Sequence, residues 1–263
     1  MSIRSRLAWA AGALALGAAS ALLLTAALSP PVAERRWAAP TLSGPLGYDE
    51  LGRNIITTLA SAALLSLGKA TLITAVVLLI AFVLGHFLSR SPHRYLGAGL
   101  QLVVNAVESV PPVLWVIAIF AALREPRLAL VGLAFGLVTL PAAIALAAGE
   151  IRRLRHEPFV ETAYGLGLSE WLVTWRHLLP NAAAVLLPFG FQVIGAALAV
   201  DGAVGIVGLG SRIDLDLGAF LLRGQENFQQ HPALLIATLA VYLAIYAALS
   251  AALSRFGRRR AQG

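Results

Sequence analysis

The chain has 263 residues, of which 59% are hydrophobic and 13% are charged; soluble domains carry roughly 25% charged residues. One soluble core could not hold this much apolar surface, and with no cysteine, disulfides, thiolate catalysis and cysteine-ligated metals are excluded. The net charge of +7 falls between apolar runs, not along one basic face; this orients a membrane protein and argues against nucleic-acid binding.

Six apolar spans are predicted, each long enough to cross a hydrocarbon layer about 30 Å thick. The first is Leu7–Leu28, a run of 22 residues without a charge. It follows Arg4 and Arg6 as a signal peptide would, but it exceeds the apolar core of such peptides, so a retained helix is expected. The second, Ala60–Leu88, is interrupted only by Lys69, which is expected to reach water from the end of its helix. The third, Leu96–Leu123, carries Asn105, Glu108 and the pair Pro111-Pro112. The fourth is Leu128–Ala148, the fifth Ala182–Leu209 and the sixth Pro232–Leu253. The expected organisation is an N-terminal helix with an external segment over residues 1–59, a core over 60–254, and a basic tail over 255–263.

Arginine placement orients the spans. With the N-terminus inside, twelve arginines fall in inner segments and seven in outer ones, which places both termini in the cytoplasm. The longest inner segment is then a loop at about residues 150–181. Within it, Glu157–Tyr164 reads as a short helix with Pro158 in its first turn, where the missing N–H costs nothing. Gly167 suits a bend with positive φ, Ser169 an N-cap and Glu170 the positive end of the next helix. Pro180 is expected to break the pattern before the fifth span.

Inside the spans, an ionisable group is costly and faces a polar cavity or a partner. Glu108, just before two prolines, either lines a path for a cationic solute or pairs with a neighbouring subunit. Asn105 and Asp201 are the other candidates for such a path; Asp201 also suits a cap or loop beside Gly202 and Gly205. The histidines at 86, 93, 156, 177 and 231 show no metal-binding spacing. No Gly-x-x-x-x-Gly-Lys-Ser/Thr stretch occurs, so any ATP is expected on another chain. No nucleophile–base pair or carboxylate pair stands out either, and catalysis within the chain is not expected.

Three blocks resemble ABC-importer permeases. The stretch from Glu161 through Gly167 to His177-Leu-Leu-Pro-Asn181 is similar to their "EAA" loop, with its Glu-Ala-Ala-like start, a Gly six residues later and a hydrophobic-hydrophobic-Pro ending. Pro45-Leu-Gly-Tyr-Asp-Glu-Leu-Gly-Arg53-Asn-Ile is similar to the "PLGTDELGRD" segment of the second permease subunits of dipeptide, oligopeptide and nickel importers. Gly205-Ile-Val-Gly-Leu-Gly210 resembles the "LSFLGLG" stretch of that branch. The chain departs from the branch at Ser211–Gly218, where Pro-rich sequence is usual, and at Asn105, where Asp is frequent.

The resemblance implies an all-α polytopic membrane protein with the type I ABC-importer permease fold. It implies residence in the bacterial inner membrane and inward passage of a small solute, most readily a di- or oligopeptide, with nickel or a metal chelate as the alternative. Its implied partners are a second homologous permease, one or two ATPase subunits carrying ATP and Mg, an extracytoplasmic substrate-binding protein, and the lipid membrane. Glu161, Ala163 and Gly167 would lie against the ATPase, with Pro180 fixing the return of the loop to the membrane. The rival of another class, an ion-coupled secondary transporter, calls for intramembrane acidic residues and internal repeats; this chain has Glu108 and no visible repeat.

Overall fold

A computed structural model describes residues 33–91, 94–123, 128–209 and 215–261. The expected first span and residues 92–93, 124–127, 210–214 and 262–263 lie outside them. The described chain is helical, with isolated β-bridges and no strand. Its helices are α1 (Ile55–Ser89), α2 (Arg94–Glu108), α3 (Pro112–Leu123), α4 (Leu128–Arg155), α5 (Pro158–Gly165), α6 (Glu170–Val173), α7 (Leu179–Ile206), α8 (Leu217–Glu226) and α9 (Pro232–Ala261). A five-residue π-helical stretch, Thr174–Leu178, joins α6 to α7.

Among the described residues, four stretches are long and apolar enough to cross a membrane: Ile55–Ser89, Gly132–Arg155, Glu170–Ile206 and Pro232–Ser254. The expected third span is not one straight helix. Tyr95–Glu108 and Pro112–Ile119 meet at 84°. Neither Pro111 nor Pro112 has an N–H to give, and each proline pushes the residue before it away from helical angles. Leu114 N–H restarts the helix on the Pro111 carbonyl, and the Trp115 indole N–H donates to the Val107 carbonyl at 3.1 Å, bracing the bend.

The helices divide into two compact units. One comprises Lys69–Asp201 and Ile245–Gly263. Its core is built from Val77, Ala81 and Phe82 of α1, the stripe Ala143, Ala147, Ile151 and Leu154 of α4, and Val160 and Ala163 of α5, with Val173, Leu178, Ala182 and Leu186. The α4 stripe follows the three- and four-residue spacing of one helix face. Small residues let these helices approach closely. A Cβ on Gly85 would stand 2.8 Å from both the Ala147 Cβ and the Ala148 nitrogen, so α1 and α4 touch nearly backbone to backbone there.

The other unit comprises the described residues up to Gly68 and Gly202–Ala244. Its loop before α1 folds on Asp49, whose Oδ1 accepts from the N–H groups of Leu51 (2.9 Å) and Arg53 (2.8 Å). α8 is buried from Leu217 to Gly224. Asp216 caps it by accepting from Ala219 N–H at 2.8 Å, and Ser66 Oγ accepts from Leu217 N–H at 3.0 Å. The buried Arg223 guanidinium lies over the Phe220 ring and faces Glu50 (3.7 Å) and Asp49 (4.0 Å). Burial lowers the pKa of Arg223, and these carboxylates oppose the shift. A Cβ on Gly205 would fall 2.1 Å from the Gly218 carbonyl oxygen, so α7 and α8 cross where neither has a side chain.

Candidate functional site

The elbow between α4 and α7 is assembled from local rules. Glu157 is the N-cap of α5 with extended backbone (φ −80°, ψ 140°), and Pro158 takes the first helical position. α5 stops after two turns. Leu168 N–H reaches back to the Ala163 carbonyl (3.2 Å) and Gly167 N–H to the Tyr164 carbonyl (2.9 Å), the paired bonds of a Schellman stop. That stop needs a left-handed residue after the cap, and Gly167 supplies it at φ +79°. Ser169 then caps the next helix as expected, accepting from Leu172 N–H at 3.5 Å.

A polar clamp holds this elbow. Glu170 Oε1 accepts from Arg155 Nη2 at 2.7 Å, at the very end of α4, and lies 3.6 Å from both Arg90 Nη1 and His86 Nε2 at the end of α1. Its Oε2 accepts from the Tyr164 hydroxyl. Desolvation and this carboxylate raise the Tyr164 phenol above its ordinary pKa, so it remains a donor. A second bracket ties Arg153 to Glu150 (2.9 Å) and to the cap residue Glu157. Sequence reasoning missed the clamp. The Arg155-to-Glu170 spacing offers no helical periodicity, and His86 is far away along the chain.

The expected partner-facing residues are placed unequally. Glu161 and Gly167 are exposed, and a Cβ built on Gly165 or Gly167 meets nothing within 4 Å. Leu166, between those two glycines, is 76% exposed, and Trp171 is 70% exposed. Ala163 is the correction. It is 3% exposed and packs in the core of its own unit, so it seats α5 and offers no surface to a partner. Pro180 is the second correction. The helix runs through it: Glu170–Ile206 is one continuous stretch of 37 residues. In the π-turn just before it, Leu179 N–H bonds to the Thr174 carbonyl five residues back. The wider turn relieves the clash between the Pro180 ring and the carbonyl four residues earlier.

The candidate path residues do not converge. Glu108 ends α2 and lines a cavity of about 340 Å³ with Thr139, Gln192 and apolar side chains. Asn105 is exposed one turn earlier, where its side chain accepts from Gln101 at 3.0 Å. Asp201 lies in the body of α7, not in a cap or loop. Neither Asn105 nor Asp201 lines the cavity.

Most of the sequence matches a known family. Residues 78–262 fit the family described as the binding-protein-dependent transport system inner membrane component. The chain belongs to this family. It is a multi-pass membrane permease and has no catalytic role of its own. Similar permeases include the glutathione transport system permease protein GsiD of Pectobacterium atrosepticum, 25% identical over 77% of this chain and 67% of that protein. The probable D,D-dipeptide transport system permease protein DdpC of Escherichia coli is 28% identical over 78% of this chain and 66% of its own length. The dipeptide transport system permease protein DppC of Alkalihalophilus pseudofirmus is 26% identical over 74% and 64%. The chain therefore spans about two thirds of the length of the curated relatives it matches.

Two solved structures share the permease fold. An amino acid ABC transporter with histidines superposes with a TM-score of 0.53 at 17% identity, over 78% of this chain and 94% of its own. The MetNI methionine ABC transporter, in inward-facing conformations, gives 0.57 at 15% identity over 78% and 97%.

Proposed function

We propose that this permease is one of two subunits framing a path by which a short peptide enters the cytoplasm across a bacterial inner membrane, and that separate ATPase subunits, carrying ATP and Mg, drive it through the α5 elbow. An extracytoplasmic binding protein delivers the solute, and both termini lie on the ATPase side. The peptide reading draws on the glutathione, D,D-dipeptide and dipeptide permeases named above.

The observation that carries the coupling role is the elbow itself. A water-exposed knuckle, Gly165-Leu166-Gly167, projects with open space around both glycines, while the helices on either side are clamped together through Glu170 and Arg155. Such a part moves as a rigid body when pushed and passes displacement to α4 and α7, consistent with rocking of packed helices. Glu161 and Gly167 would face the ATPase; Ala163 and Pro180 would act through the fold behind them.

The test is purification of the chain from its own membranes in mild detergent, followed by reconstitution. Expected are a second permease and one or two co-purifying ATPases, with peptide uptake that requires ATP. Uptake driven by a proton gradient, by a chain that purifies alone, would overturn the reading in favour of a secondary transporter.

A further inference from the structure

Glu108 stands where α2 ends and the Pro111-Pro112 bend begins. Its carboxylate makes no hydrogen bond or ion pair among the described residues, and neither does the side-chain amide of Gln192. Both line the same cavity of about 340 Å³, with walls from the bend, α4 and α7. That volume is in the range of small-ligand pockets, roughly 300–1,000 Å³. The rest of the wall is apolar, led by Val107, Val110, Phe135, Phe189 and Val193. Thr139 is the third polar side chain there, and its hydroxyl already donates to the carbonyls of Phe135 and Gly136.

Glu108 and Gln192 are both exposed on the cavity lining and so open to a ligand, and a carboxylate within a membrane span costs free energy until it meets a cation or a donor. From these groups we infer that the cavity receives the free amino terminus of a transported peptide. The α-ammonium donates to the Glu108 carboxylate. The neighbouring peptide group satisfies Gln192 in both directions, its carbonyl accepting from the amide nitrogen and its N–H donating to the amide oxygen. The apolar wall takes the first side chain. A lysine or arginine from the second permease would neutralise Glu108 and could donate to the Gln192 oxygen, but, having no acceptor, would leave the Gln192 amide nitrogen unmatched. This assignment rests on the peptide reading above and adds the chemical class: peptides with an unblocked, cationic N-terminus.

The test uses the full permease–ATPase complex in detergent without the binding protein, so that selectivity comes from the membrane part. Radiolabelled alanyl-alanine is competed with unlabelled alanyl-alanine or its N-acetyl derivative. A hydrogen bond to a charged group predicts that the free peptide competes about tenfold better or more. Glu108→Gln should remove that difference while the complex stays assembled, and Glu108→Asp should keep part of it. Equal competition by both peptides in the wild type would overturn the inference, as would an unchanged difference in Glu108→Gln. Loss of the second permease from Glu108→Gln and Glu108→Asp alike would also overturn it, because Glu108 would then be an inter-subunit pairing residue. ATP-driven uptake in proteoliposomes supplied with the binding protein separates the two levels. If the wild type then moves no peptide, the peptide reading fails and this assignment fails with it. If it moves peptide but the competition without the binding protein ignores the N-acetyl group, this assignment alone fails.

Discussion

Gly167 separates two reasons for a glycine, and substitutions there test the elbow most directly. Its φ of +79° is left-handed, where an ordinary residue pays roughly 1–2 kcal/mol and asparagine pays less. Among the described residues, nothing beyond its two chain neighbours lies within 4 Å of a Cβ built there, so no steric cost from packing is added. Gly167→Ala should therefore destabilise by about 1 kcal/mol and Gly167→Asn by less, small against the roughly 5–15 kcal/mol of a typical fold. Both variants, and Gly167→Asp, should insert and melt in detergent within a few degrees of the wild type. Uptake is expected to behave differently. If the open space over Gly167 is where the ATPase approaches, all three side chains intrude on it, and ATP-driven uptake should fall at least about tenfold, a loss of about 1.4 kcal/mol of coupling. The assay is peptide uptake and ATP hydrolysis on the same proteoliposomes. Wild-type uptake by Gly167→Asn would refute the reasoning, because it would show that the position needs only a left-handed backbone.

Other expectations follow from named contacts. Glu170→Gln keeps a hydrogen-bonding group but removes the counter-charge of Arg155; as Glu170 is 30% exposed, the cost should be about 1 kcal/mol, rising to about 2 for Glu170→Ala. Hydrogen exchange should show α5 opening more often in both, and Arg155→Met with Glu170→Gln should cost less than the two single changes added together. Gly205→Ala puts a methyl group 2.1 Å from the Gly218 oxygen and should cost about 1–3 kcal/mol, whereas Gly149→Ala meets open space and should be neutral or slightly stabilising. Equal melting temperatures for that pair would contradict the close crossing of α7 and α8.

The sequence exposed what local chemistry controls. Apolar runs located the long helices but not all their ends, since α4 runs on to Arg155 and α9 to Ala261 beyond the apolar stretch; Pro158, Gly167 and Ser169 marked the start of α5, the Schellman stop and the next cap, because each residue type answers a backbone requirement met nearby. The misses share a cause. The expected third span misses the 84° bend after Glu108 because apolar residues on both sides of the break read together as one span, although Pro111-Pro112 held the needed signal. Ala163 resembles part of a docking face because the motif lies on a loop; only the burial of Val160 and Ala163 in the core of their unit shows which side of the short helix is covered. The cavity at Glu108 joins α2, α4 and α7, a juxtaposition that no local pattern encodes.

The fate of Pro180 changes how force would travel. A break there would put a joint between the elbow and the membrane, and a displacement at Leu166 would be spent in bending it. The structure has no such break: the π-turn at Thr174–Leu178 absorbs the proline, and the helix continues from Glu170 to Ile206, about 55 Å at 1.5 Å per residue. Glu170 sits at the first residue of that lever and Arg155 at the last residue of α4, so one ion pair fixes two membrane helices to the same point. A push on the knuckle must then move both helices together or break the pair. Because the pair is supported by Tyr164, Arg90 and His86, moving both helices is the cheaper course. The elbow is therefore stiff in the place where a loop between two spans would ordinarily be soft.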